Sequence, residues 1–269
     1  MLKLSLVLST QPASFSALAY KGELEKNVAK IAALGYDGVE LAVRHPGHLE
    51  VESIKKILAK HSLSVSAIGT GQAYGEDGLS FTHPDERVRR QAIQRIEAHI
   101  ELASHFNALV IIGLIRGKIV DTVDRQQAWQ WLIEALRECA SAAKSKGIRL
   151  ALEPINRYET NVVNTVAEGL ELLTEVDAAN LGMLLDTFHM NIEEPSLEES
   201  IRRASERMFH VHVADSNRWH PGAGHIDFKR VVDVLQKIRY AGFISAEILP
   251  FPDADTAAAM TMRYLRPLV

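Results

Sequence analysis

The chain has 269 residues, 47% of them hydrophobic and 24% charged, with a formal net charge of −4. That length can bury one large core and is short for two ordinary domains, and the acidic balance argues against nonspecific nucleic-acid binding, where a basic face is expected. The only cysteine, Cys139, excludes a disulfide framework or a thiolate metal cluster within the chain and fits a reducing, cytoplasmic setting.

The N-terminus places Lys3 before the apolar run Leu4–Leu8, a loose imitation of a signal peptide. Ser9, Thr10, Gln11 and Pro12 interrupt it early, so it reads as a first buried strand. No apolar run approaches the ~20 residues of a membrane span. From there short apolar stretches alternate with segments of helical period. Strands are expected at Leu2–Ser9, Gly38–Arg44, Ser64–Gly69, Ala108–Leu114, Arg149–Glu153, Leu181–Asp186, Phe209–Ala214 and Phe243–Leu249. Helices are expected at about Glu23–Leu34, Val51–Lys60, Asp85–Phe106, Arg125–Lys146, Val166–Glu175, Leu197–Arg207, Phe228–Arg239 and Thr256–Leu265. Gly35, Gly147 and Gly242 fall where a helix should stop. Eight β–α units of roughly 34 residues each predict a single-domain (β/α)8 TIM barrel over residues 1–269, with an open doubly wound sheet as the alternative.

In such a barrel the strand C-termini form one functional rim. Arg44, Gly71–Ser80, Arg116–Lys118, Glu153–Glu159, Asp186–His189, His212–Arg218 and Glu247 should gather there. Glu153, Asp186, His212 and Glu247 end four consecutive strands. Three carboxylates and an imidazole facing one another away from bulk water call for a divalent cation. Oxygen-rich ligation with one imidazole suits Mn²⁺ first, with Mg²⁺ or Co²⁺ as alternatives, over a closed structural zinc site. Two open positions on an octahedral ion would fit the adjacent oxygens of a hydroxy-ketone or hydroxy-aldehyde and invite proton chemistry beside a carbonyl. His210 shares a strand face with His212 and reads as a structural histidine one layer deeper.

With these residues in hand, the chain resembles the D-tagatose 3-epimerase (ketose 3-epimerase) group of xylose isomerase-like barrels. The segments that carry the resemblance are Leu152-Glu153-Pro154-Ile155-Asn156-Arg157-Tyr158-Glu159-Thr160, Leu185-Asp186-Thr187-Phe188-His189-Met190-Asn191, His210-Val211-His212-Val213-Ala214-Asp215-Ser216-Asn217-Arg218, and Glu247. The resemblance implies one divalent metal on Glu153, Asp186, His212 and Glu247. It implies substrate contacts from Glu159, His189 and Arg218, and an acid/base pair of Glu153 and Glu247 on opposite faces of a bound ketose. Inverting one centre needs two such groups. Gly69-Thr70-Gly71-Gln72-Ala73-Tyr74 and Gly113-Leu114-Ile115-Arg116-Gly117-Lys118 look like a subgroup assigned to keto-sugar acids, the 5-keto-L-gluconate epimerases of inositol catabolism, which interconvert 5-keto-L-gluconate and D-tagaturonate. A terminal carboxylate would then meet a cation away from the metal. Arg116 is the first candidate and Arg44 the runner-up, with Lys118 solvated.

Gly69-x-Gly71 is not a dinucleotide fingerprint, because Tyr74 takes the third glycine position and no helix is expected directly after it. It reads as a tight loop near substrate. Asp215 and Asn217 are expected to orient His212, while His220 and His225 sit in a Pro/Gly loop that either covers the site or lies at the surface. Trp129 and Trp131 lie on opposite sides of a long helix, so at least one should be exposed or in a subunit contact, as in a homodimer or homotetramer. The expected partner is a small keto-sugar or keto-sugar acid. The alternatives are a neutral ketose 3-epimerase, an aldose–ketose isomerase, a barrel phosphodiesterase and a sugar-binding barrel without activity.

Overall fold

The computed structural model describes residues 2–269. Among these residues the strands are β1 (Lys3–Ser9), β2 (Tyr20–Lys21), β3 (Gly38–Ala42), β4 (Ser64–Gly69), β5 (Leu109–Ile112), β6 (Leu150–Leu152), β7 (Leu181–Asp186), β8 (Met208–Val213) and β9 (Phe243–Ala246). Neighbours pair in parallel, and β9 returns to β1 from Lys3↔Phe243 to Leu6↔Ala246, closing an eight-stranded barrel. The two-residue β2 adds to the end of β1 at Leu8↔Tyr20. The chain is a closed parallel (β/α)8 TIM barrel, not an open sheet.

Closure explains the strand composition. A parallel strand with helices outside and side chains inside is buried on both faces, so it reads as a nearly continuous apolar run. β3, β5, β6 and β7 are buried at every position. The outer helices bury one stripe each. In Arg125–Ser145 that stripe is Ala128, Leu132, Ile133, Ala135, Leu136, Cys139, Ala140 and Ala143, which places the single thiol in the core. Each Leu- or Ile-sized side chain so buried contributes roughly 1.5–3 kcal/mol. Helix starts are set by side chains: Asp85, Asp124 and Asp227 accept from the backbone N–H of Arg87, Gln127 and Arg230. Thr165 and Glu168 form a reciprocal capping box.

The expected strand limits hold to within a few residues, and β4 and β7 run as predicted. Five short elements were not expected: β2, helices at Gly71–Gly75 and Thr187–Glu193, and single 3-10 turns at Pro46–His48 and Leu114–Arg116. The helix at Gly71–Gly75 corrects the expectation that no helix opens directly after the Gly69-x-Gly71 stretch. Gly35 and Gly147 end their helices at φ 87° and 68° as anticipated. Gly242 does not; Arg239 takes the left-handed turn after Phe228–Lys237, at φ 58°.

Two register shifts bear on the site. Between β3 and β4 the pairing skips at Val39/Glu40, and between β7 and β8 it skips at Met183/Leu184. An extra residue in one strand re-aims the side chains that follow. The extra residues are Ser66 in β4, opposite Val39 and Glu40, and Phe209 in β8, directly before His210 and His212.

Candidate active site

β6, β7 and β8 deliver Glu153, Asp186 and His212 to one point on the barrel rim. Their donor atoms lie within 4.8 Å of one another. His212 Nδ1 is 3.7 Å from Glu153 Oε1 and 3.8 Å from Asp186 Oδ2. All three atoms are buried without a hydrogen-bond partner. A buried polar atom left unsatisfied costs about 1–3 kcal/mol, so three aimed at a common centre form a set that could hold a metal ion. The donor chemistry, two carboxylate oxygens and an imidazole nitrogen, suits a hard or borderline divalent cation.

Asp186 and His212 are each held from behind. Asp186 uses its other oxygen, Oδ1, to accept the Phe188 N–H at 2.7 Å and so starts the helix Thr187–Glu193. His212 Nε2 lies 3.0 Å from both oxygens of Glu40, and His210 Nε2 lies 2.8 Å from Glu40 Oε2. Glu40 was not anticipated from the sequence. The signal was present, since it is the one charged residue in the buried run Gly38–Ala42. Burial alone would raise the Glu40 carboxyl, but His212 and His210 outweigh it and hold it well below its usual range. Burial would lower His212; Glu40, Glu153 and Glu247 overcome this and raise it well above its ordinary value.

Glu247 opens onto the same pocket but stands apart from the tight trio, and Arg218 Nη2 donates to its Oε2 at 2.9 Å. Arg218 Nη1 donates to Glu159 Oε1 at 3.0 Å, and the guanidinium lies between the rings of Phe15 and Phe188. Its backbone is left-handed at φ 61°, a conformation that costs a non-glycine residue energy and is retained where the surroundings fix it. Glu247 is pushed up to about 8, first by burial and then by Glu153 and Asp186, with His212 and Arg218 pulling the other way. For Glu153 burial also raises the carboxyl, but His212, His189 and Arg116 outweigh it and hold it below its usual value.

His189 faces the trio, with Nε2 3.8 Å from Glu153 Oε1. Its other nitrogen is settled by Asn156. The Asn156 Oδ1 accepts from Tyr158 N, so Nδ2 points both to Glu159 Oε1 at 2.9 Å and to His189 Nδ1 at 2.7 Å. An amide that donates to Nδ1 leaves the proton of a neutral imidazole on Nε2. His189 therefore offers an N–H to the pocket.

Glu40, Glu153, Glu159, His189, His212, Arg218 and Glu247 line a cavity of about 290 Å³. Its apolar wall comes from Val7, Phe15, Leu18, Ile111, Leu114 and Ile155. Gly69, Thr70, Gly71 and Gln72 form another side, as expected of a loop near substrate. The contribution of Ser14–Leu18, from the loop between β1 and β2, was not foreseen.

The expectation for Arg116 is corrected. Its side chain is fully buried and turned into the protein, where it donates to the carbonyls of Val162, Gly113 and Val163 at 2.9–3.0 Å. It does not line the pocket, so no substrate carboxylate can reach it. Burial pulls it down to about 10. Arg44 is likewise engaged, with Asp77 and Glu76, and Lys118 is exposed. Asp215 and Asn217 do not orient His212. Asp215 accepts the N–H groups of Ser216, Gly222 and Ile226, and Asn217 donates to Ala223 O, so both shape the loop after β8. His225 is exposed, and neither it nor His220 lines the cavity. Trp129 and Trp131 are both half-buried, the first donating to Glu175 and the second under the Arg89 guanidinium. No helix among the described residues is long and apolar enough to cross a membrane.

Residues 28–268 match the family described as xylose isomerase-like TIM barrel. The chain belongs to that family. Among similar proteins, the L-ribulose 3-epimerase of Mesorhizobium japonicum is 31% identical over 236 residues, covering 87% of this chain and 78% of its own. The 3-dehydro-D-guloside 4-epimerase of Escherichia coli is 27% identical over 225 residues, covering 81% and 84%. The family fold is matched throughout by the crystal structure of D-allulose 3-epimerase from Methylomonas sp. in complex with D-allulose. The TM-score is 0.85 and the identity 26%, over 100% of this chain and 97% of that one.

Proposed function

We propose that this chain is a metal-dependent epimerase that inverts the carbon next to the ketone of a small sugar. That it is an isomerase of the sugar-epimerase kind accords with its epimerase relatives. The observation that carries the proposal is the set of three orphaned donor atoms on Glu153, Asp186 and His212, beside the pocket carboxylates of Glu153 and Glu247. Glu247 is assigned as the fourth ligand, and Mn²⁺ as the ion.

When bound, the ion stabilises negative charge on the substrate oxygens as the proton leaves the neighbouring carbon. The chain's own groups do the rest. One of Glu153 and Glu247 takes that proton and the other returns one to the opposite face. A pair of carboxyls driven apart in proton affinity, one down and one up, suits an acid and a base in one site. Arg218, tethered to Glu159 and Glu247, and the Nε2–H of His189 donate to the substrate oxygens and fix the sugar against both carboxylates.

The finer substrate assignment is a keto-sugar acid, 5-keto-L-gluconate and D-tagaturonate. It is supported by the resemblance of Gly69–Gln72 and Gly113–Leu114, which wall the pocket. One observation favours a second reading, a neutral ketose. Arg218 is the only lysine or arginine on the pocket wall among the described residues, and two carboxylates already hold it. Incubation of Mn²⁺-loaded protein in D₂O with 5-keto-L-gluconate, D-tagaturonate, D-fructose and D-tagatose, followed by NMR, decides between them. Deuterium should enter at the inverted carbon of the keto acids. Uptake into the neutral sugars alone would overturn the acid assignment, and no uptake into any would overturn the epimerase.

A further inference from the structure

Glu40 lines the cavity and bonds two histidines, one of them the ligand-type His212. It is fully buried, its carboxylate lies 3.0 Å from His212 Nε2 through each oxygen, and Oε2 is shared with His210 Nε2 at 2.8 Å. An ionised carboxylate can only accept hydrogen bonds, so both imidazoles must present an Nε2–H to it. For His212 this has a consequence at the opposite edge of the ring. With the proton of the neutral imidazole on Nε2, the lone pair sits on Nδ1, the atom aimed at Glu153 Oε1 and Asp186 Oδ2.

We propose that Glu40 is a positioning residue for metal loading: it selects the His212 form that offers Nδ1 as a ligand, and His210 keeps the Glu40 carboxylate from swinging into the metal site itself. The proposal rests on the metal reading of the previous section. Two features of the fold support it. The extra residue Phe209 of β8 directly precedes His210 and His212 and sets the way they point, while across the barrel Ser66 of β4 is the extra residue facing Val39 and Glu40. His210 has no contact with the cavity wall, so its bond to Glu40 serves the carboxylate and not a substrate.

A carboxylate behind a ligating imidazole is typically worth 10- to 100-fold in metal affinity. The test pairs a spectroscopic signature with a titration. In the ¹⁵N-histidine protein loaded with Mg²⁺, long-range ¹H–¹⁵N spectra should place the His212 proton on Nε2 and the ion on Nδ1. Mn²⁺ titration followed by EPR should give a dissociation constant roughly 10- to 100-fold weaker for Glu40→Gln than for the wild type. A His212 proton on Nδ1, or Mn²⁺ binding by E40Q within about twofold of wild type, would overturn the proposal. Should E40Q fail to fold, the wild-type spectrum alone decides. A wild type that binds no Mn²⁺ removes the metal reading and the proposal together, whereas tight wild-type binding with an unchanged variant removes only the role of Glu40.

Discussion

Arg116 and Arg218 are two arginines of the same barrel rim, and their partners separate them completely. Arg218 meets two carboxylates, Glu159 and Glu247, inside the cavity. Arg116 meets only backbone carbonyls, those of Gly113, Val162 and Val163, and lies outside it. The first holds acidic side chains where a substrate would sit. The second braces the loop that runs from Glu153 to Thr165 and places a positive charge behind Glu153. Arg116 is fully buried and Arg218 half-buried, both just past a strand end; what separates them is the partner, carboxylates in the cavity for one and backbone carbonyls for the other.

The comparison breaks most visibly at Arg218. Arg218→Met should lower kcat/KM by about 10- to 100-fold, the worth of one or two charge-assisted hydrogen bonds to substrate, with little change in melting temperature. Steady-state kinetics and thermal unfolding measure the two effects, and a loss of stability without a loss of activity would contradict the assignment.

A second test uses the protons that the pocket side collects. Glu247 is pushed up to about 8 by burial and, against burial, His212 is raised above its ordinary value by Glu40, so in acid both hold a proton that a cation must displace. The sign follows: the protonated forms dominate in acid, so raising the pH strengthens metal binding. Calorimetric titration with Mn²⁺ should show affinity rising about tenfold per pH unit for each proton released between pH 6 and 8. A flat profile would mean that neither group is a ligand. Arg116 carries no such dependence, since even at about 10 it stays charged throughout that range.

The smallest kinetic effect is expected at Arg116. Arg116→Met should leave the preference between keto-acid and neutral substrates unchanged, while three carbonyls lose their donors. At roughly 1–3 kcal/mol for an unsatisfied buried group, and about 2–4 °C per kcal/mol for a chain of this length, the melting temperature should fall by several degrees. A selective loss on acidic substrates would restore the discarded carboxylate contact.

The same contrast explains what was legible in the sequence. Barrel closure followed from eight alternating units, because burial on both faces of a parallel strand leaves a nearly unbroken apolar run. Glu153, Asp186 and His212 were legible because a polar group ending such a run has few structural uses. Glu40 obeys the same logic but lies mid-strand, away from the rim where ligands were sought. Arg116 failed for the opposite reason: a strand-end position fixes the rim but not the direction of a side chain with four rotatable bonds. The helix Thr187–Glu193 escaped notice because its start is an Asp186 oxygen, and a single carboxylate that both caps a helix and reaches a candidate metal site has no separate sequence signal.

The convergence of Glu153, Asp186 and His212 on one cation remains the central claim, and anomalous diffraction from crystals soaked in Mn²⁺ tests it most directly. The account predicts a single strong peak in bonding contact with Glu153 Oε1, Asp186 Oδ2 and His212 Nδ1, with Glu247 completing the set. A map with no peak among those atoms, or with the ion bound elsewhere on the barrel, would contradict it.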